Sequence, residues 1–282
     1  MKKAFEIKYS GQDRTIRGDV HIPTEAEHVP VLVLCHGFKG FKDWGFFPSL
    51  ADQLKLAGFA VITFNFSMNG VGADLEHFTE LDKFSMLTFS SEQEDLHRVL
   101  QALKNSEIPF TSHMNLNAIG LMGHSRGGGN SLIYTLNHPT MIQAVTVWNS
   151  ISQAKFFSNA LIEELNRNGE AYIENARTNQ KMPMKKEIIE DIEKNQDAFS
   201  ILARVHQFPC PLQFIQADQD VLQLREGVSQ LHQKCPSSIL HWIEETGHTF
   251  GATHPFKEIT KPLAEAIHET INFFQSHLTP SS

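Results

Sequence analysis

The chain has 282 residues, with 24 Lys and Arg against 32 Asp and Glu and a formal net charge of −8; a sequence-independent nucleic-acid binder needs a basic face to meet phosphates, so that class is disfavoured. Apolar residues make up 41% and charged residues 20%, the composition of a globular chain long enough for one sizeable core, and a single domain over 1–282 is expected. No apolar run follows Lys2 and Lys3, and no stretch is apolar enough to span a bilayer, so neither a signal peptide nor membrane contact is expected.

In chain order, Ala4–Tyr9 and Thr15–Ile22 read as an antiparallel pair turned at Gly11. Six further strands follow, each a short apolar run: Pro30–Cys35, Phe59–Phe64, Ala118–Met122, Ala144–Trp148, Leu212–Ile215 and Ile239–Ile243. Continuous apolar runs mark strands buried on both faces. Helical spacing lies between them. Leu96, Val99, Leu100 and Leu103 share one face, and Ile259, Leu263, Ile267, Ile271 and Phe274 make a longer C-terminal stripe. Alternating strands and helices give a mostly parallel, eight-stranded sheet flanked by helices. The segment 152–205 breaks the alternation, with helical patterns around Ala160–Leu165 and Lys185–Ile192 and no buried-strand pattern. We read it as a helical lid insertion rather than a decoration, because loops at strand C-termini line the ligand crevice of such sheets.

Three cysteines, Cys35, Cys210 and Cys235, have no CxxC spacing. A disulfide framework or zinc site is therefore not expected, and a reduced, cytoplasmic compartment is. No H-E-x-x-H or comparable ligand set occurs, so neither metal nor cofactor is expected.

Gly123-His124-Ser125-Arg126-Gly127 matches G-x-S-x-G, with a strand leading in and a helical pattern, Asn130–Leu136, leading out. A serine on so sharp a turn needs neighbours without side chains, which Gly123 and Gly127 provide. Ser125 is the candidate nucleophile. Two N–H donors must then converge on an oxyanion. The N–H of Arg126 is one. The other is expected from His36-Gly37-Phe38, directly after a buried strand, with Phe38 as donor and His36 bracing the loop. The base should sit on a loop past the last strand, where Gly247-His248 stands; His254 belongs to the approach to the final helix. The acid should follow the strand before it, where Asp218 and Asp220 compete. Asp220 is favoured, three residues after the small Ala217, and Asp218 is the alternative. Phe41 and Trp44 are candidate walls of the substrate pocket, whereas Phe46 and Phe47 are candidates to pack a helix onto the sheet. Lys39 and Lys42 read as solvated.

With these motifs in place, the chain resembles the α/β-hydrolase superfamily over nearly its whole length. His36-Gly37-Phe38 and Gly247-His248-Thr249-Phe250 resemble bacterial serine esterases related to feruloyl (cinnamoyl) esterases and dienelactone hydrolases. The resemblance implies cofactor-free cleavage of small-molecule carboxylic esters, some with aromatic acyl groups. It places triad roles on Ser125, Asp220 and His248, and oxyanion roles on Phe38 and Arg126. Two departures stand out: dienelactone hydrolases use a cysteine nucleophile, and the small residue before the acid is usually glycine rather than Ala217. A peptidase, amidase or thioesterase with the same triad is an alternative, as is a ligand-binding sensor on a hydrolase scaffold. The sequence leaves the natural ester and the oligomeric state open.

Overall fold

The computed structural model describes residues 1–175 and 178–279. Its strands are β1 (Lys2–Lys8), β2 (Thr15–His21), β3 (Val29–Cys35), β4 (Ala60–Asn65), β5 (Met114–His124), β6 (Ala144–Trp148), β7 (Glu170–Asn175), β8 (Gln180–Lys185), β9 (Leu212–Ala217) and β10 (Ile239–Ile243). The helices are α1 (Phe47–Leu56), α2 (Leu81–Ser85), α3 (Phe89–Lys104), α4 (Arg126–Asn137), α5 (Asn159–Asn168), α6 (Glu187–Lys194), α7 (Ile201–Arg204), α8 (Leu222–Lys234) and α9 (Lys261–Leu278).

Eight strands form one sheet in the order β1-β2-β4-β3-β5-β6-β9-β10. The pairs β1–β2 and β2–β4 are antiparallel, and every other neighbour in the sheet is parallel. Strand alternation explains why β3 is apolar throughout. In β3, Val31, Val33 and Cys35 face a core shared with Leu96 and Val99 of α3 and Leu132 of α4. Leu32 and Leu34 face the opposite core, with Leu50 and Leu54 of α1 and Phe274 of α9. Both faces are thus dry, and either parity of residue must be apolar.

Side chains cap the long helices. Thr88 accepts the Ser91 N–H at 3.1 Å and Ser91 Oγ accepts the Thr88 N–H at 3.1 Å, a reciprocal box that starts α3. Thr260 accepts the Leu263 N–H at 3.2 Å to start α9. Ile259, expected in the C-terminal stripe, precedes this helix and is exposed.

The insertion differs from the all-helical expectation. Between α5 and α6 it carries the antiparallel hairpin β7–β8, separate from the main sheet; its residues 176 and 177 lie outside the described residues. The hairpin buries one face only. Ala171, Met182 and Met184 pack with Leu165, Ile188 and Ile189, while Tyr172 on the other face is exposed. A strand half-covered in this way has no continuous apolar run.

Candidate active site

The parallel strands point their C-terminal ends to one edge, and the sequence-predicted site residues gather there. Ser125 sits between β5 and α4 with φ +57° and ψ −120°. Positive φ is sparsely populated for a residue with a Cβ, so this conformation is held by its surroundings. Its N–H donates to Trp148 O at 2.9 Å. Glycines make the turn possible: a Cβ on Gly123 would lie 2.3 Å from Gly127 O, and one on Gly127 would lie 2.1 Å from Cys35 O. Neither backbone oxygen has room to move, so neither position accepts a side chain.

His248 follows β10, and its Nδ1 lies 2.8 Å from Asp220 Oδ2. Asp220 is buried, whereas the imidazole is partly exposed toward the cleft. Burial by itself would raise the Asp220 carboxyl. The bond and charge of His248, with the N–H of Val221 and the Gln216 amide, outweigh burial and hold it below the ordinary carboxylate range. Asp218 is turned elsewhere, accepting the Thr246 N–H at 3.2 Å. The structure therefore brings Asp220, and not Asp218, to the imidazole.

The loop after β3 lies against Ser125. A Cβ on Gly37 would stand 3.1 Å from Ser125 Cβ, and Gly40 N–H folds back to Gly37 O at 3.0 Å. His36 braces this loop as expected. Its Nδ1 is 2.9 Å from Gly37 O, and its Nε2 accepts the Phe66 N–H at 3.3 Å. Burial pushes its pKa down to about 4, so the ring is neutral. The side chain of Arg126 turns away from the cleft floor to bind Glu92 of α3, with Nε 2.8 Å from Oε2, and its guanidinium covers the Phe89 ring at 3.7 Å.

A cavity of about 380 Å³ opens beside Ser125 and His248, lined further by Phe38, Lys39, Arg126, Ile151, Phe156, Phe157 and Ile173. A second lobe of about 400 Å³ shares Phe38, Ser125 and His248 and adds Trp44, Phe47 and Asn175. Trp44 thus reaches the cleft. Phe41, the other candidate wall, lines neither lobe. It is fully buried, its ring 6.3 Å from Phe78 and 5.2 Å from His254. Its apolar surface is covered by the hairpin and α2 cluster, which the loop sequence does not reveal. Phe46 and Phe47 are both buried against the sheet. Lys39 lines the cleft and donates to Glu174 O at 3.0 Å. Lys42, read as solvated, is instead buried in ion pairs with Asp19 and Asp43. Sequence reasoning also missed Glu92, His124 and Asn149, buried polar residues near the elbow that no motif singles out. Among the described residues, no group of three or more His, Cys, Asp or Glu side chains is placed to hold a metal ion, and no helix is long and apolar enough to cross a membrane.

A family model described as the alpha/beta hydrolase fold matches residues 30–167. No curated protein matches the sequence. Similar solved structures include a dienelactone hydrolase from Anabaena variabilis, at 15% identity and TM-score 0.63, covering 99% of each chain. The esterase domain of a Rhodothermus marinus protein is 16% identical, with TM-score 0.66, covering 99% of this chain and 100% of that one. Est1E from Butyrivibrio proteoclasticus is 16% identical with TM-score 0.66, covering 97% of this chain and 99% of that one. At such identities the likeness is one of fold. Sheet order, elbow and family match agree: this chain is an α/β-hydrolase-fold protein resembling the dienelactone hydrolases and esterases.

Proposed function

We propose that the protein is a serine hydrolase that cleaves small-molecule carboxylic esters through an acyl-enzyme intermediate. One observation carries the reading: His248 donates Nδ1–H to a buried carboxylate while its ring lines the same cavity as a serine on a strained elbow. That bond fixes the tautomer and leaves Nε2 as the acceptor on the cleft side.

In the proposed cycle Ser125 Oγ attacks the ester carbonyl as its proton passes to His248 Nε2. The tetrahedral oxyanion is met by the N–H groups of Phe38 and Arg126. Arg126 opens α4, so its N–H has no intrahelical acceptor and lies at the positive end of the helix. Collapse breaks the bond to the alcohol, which leaves with the proton from His248. Water then repeats the sequence to release the acid and free Ser125. The mainly apolar cavity suits an apolar or aromatic acyl group. Phe156, Phe157 and Ile173 reach it from the insertion, which supports a lid role for that segment. Est1E is described with ferulic acid bound, which accords with an aromatic acyl preference.

Ser125→Ala is expected to abolish hydrolysis of an activated acetate ester while leaving the circular dichroism spectrum unchanged. An organophosphonate, which mimics the tetrahedral intermediate, is expected to label Ser125 alone. Wild-type turnover in the variant, or an adduct on another serine, would overturn the mechanism. Faster turnover of matched amides or thioesters than of esters would move the assignment to those classes.

A further inference from the structure

Asn149 is a buried residue that the cycle above does not use. It follows β6 with a left-handed φ of +45°, a region that asparagine tolerates better than most residues with a side chain. Its own N–H is anchored to Ile215 O at 2.9 Å. Its side-chain amide then makes two bonds in opposite directions. Oδ1 accepts the Ala217 N–H at 2.8 Å, and Nδ2 donates to the backbone carbonyl of His248 at 2.8 Å. Ala217 is where the chain turns toward the acid, since Asp220 N–H closes back on Ala217 O at 3.4 Å. A single amide therefore holds the root of the acid-bearing turn and the backbone of the base.

His124 meets the same carbonyl. Its Nε2 is 2.8 Å from His248 O, and because a carbonyl only accepts, that nitrogen carries the proton. Burial, with His248 beside it, pushes the pKa of His124 down to about 3. The ring is neutral at working pH and keeps this one orientation. Both lone pairs of the His248 carbonyl are thus engaged by side chains from the elbow strand and its neighbour β6. The imidazole itself is 38% exposed in its side chain, so packing alone does not fix it.

We infer that Asn149, assisted by His124, is a positioning residue of the acid–base pair, holding the His248 backbone at the place from which its ring meets Asp220 and faces the cavity it shares with Ser125. The inference rests on the serine-hydrolase reading above. Without the amide the His248 carbonyl keeps only its bond to His124 and the link between the base and the Ala217 turn is lost; a shift of about 1 Å in a reacting group costs on the order of 10²-fold in rate.

The test uses the full chain and an activated ester, with Asn149→Ala, Asn149→Asp and Ser125→Ala side by side. Asn149→Asp keeps volume and the acceptor for Ala217 N–H but sets an oxygen against the His248 carbonyl. Both Asn149 variants are expected to lose about 10- to 100-fold in kcat with KM unchanged, and to lose or broaden the downfield proton resonance of His248 Nδ1. In an Asp220→Asn background the same substitutions should cost much less, since the pair they align is already broken. Wild-type kcat in both folded variants would overturn the inference while leaving the serine mechanism intact, provided Ser125→Ala is dead. Activity in Ser125→Ala would instead remove the reading on which it rests. Equal losses with and without Asp220, or failure of both Asn149 variants to fold, would make the residue structural and overturn the inference as well.

Discussion

A carboxylate orients an imidazole only if it is dry enough to be strong and close enough to be aimed. Asp220 meets both conditions: its side chain is 1% exposed and its Oδ2 is 2.8 Å from His248 Nδ1. Asp218, two residues earlier, accepts the Thr246 N–H on the loop that carries His248. The two aspartates are therefore expected to separate cleanly in kinetics. Asp220→Asn leaves an amide able to favour the wrong tautomer, and a drop in kcat on the order of 10⁴-fold is the precedent for such a change in a serine triad. Asp218→Asn keeps an acceptor for the Thr246 N–H and is expected to retain most activity. Ester kinetics on the two variants decides the matter, and equal losses would mean that the loop rather than the charge is limiting. The sequence carried this choice only as a preference for the residue three past Ala217. A turn closed by Asp220 N–H on Ala217 O is what swings that side chain toward the imidazole.

Burial made most elements legible. Strands β3, β4, β5, β6 and β9 lie inside the sheet and were readable as mainly apolar runs, and β10 was readable from its apolar residues although it is an edge strand with Ile239 and Trp242 exposed. The edge pair β1–β2 was readable from its turn at Gly11. The elbow was readable because Gly123 and Gly127 admit no side chain at all. The hairpin β7–β8 was not, because it rests on one side only and shows Tyr172 and Glu174 outward. Lys42 and Phe41 were misread for a related reason: neither residue type nor local spacing tells that Asp19 and the α2–hairpin cluster will close over them. The insertion's place in the structure leads to a prediction about substrate choice. Phe157 reaches the cavity and packs at 6.1 Å, edge to face, on Phe38. Phe157→Ala is expected to widen the acyl side, lowering kcat/KM for short acyl esters less than it changes the ratio of long to short. Rates for a graded acyl series measure this. A uniform slowing of every ester would assign the segment to support rather than to selection.

On the scale of the whole molecule, the same crowding that builds the site buries histidines that must remain neutral. His36 and His124 have pKa values pushed down by burial to about 4 and about 3, against an ordinary value of about 6.5 in an unfolded chain. The unfolded state therefore binds protons that the native state refuses. The stability these two groups contribute is complete above pH 6.5 and is lost progressively as pH falls from there toward 4 and 3, where the native rings at last titrate. In that window each histidine contributes a slope of about 1.4 kcal/mol per pH unit. Two buried carboxyls work against them, whereas Asp220 and Asp19, held below the ordinary range, act in the same direction as the histidines. Burial raises Glu92 and Asp95 above the ordinary carboxylate range despite Arg126 and Arg14, so acidification eases rather than worsens those two sites. A wild-type curve alone mixes the two signs, and the histidine term is isolated by substitution. His36→Gln retains a donor and an acceptor near Gly37 and Phe66 but does not titrate. Urea unfolding of both proteins between pH 7.5 and 5 is expected to give a shallower loss of stability in the variant, by up to about 1.4 kcal/mol per unit below pH 6.5. Parallel curves would mean that His36 takes up a proton in the folded loop, which would place a charge beside Gly37 and Phe38 and undo the account of how that loop presents its N–H groups.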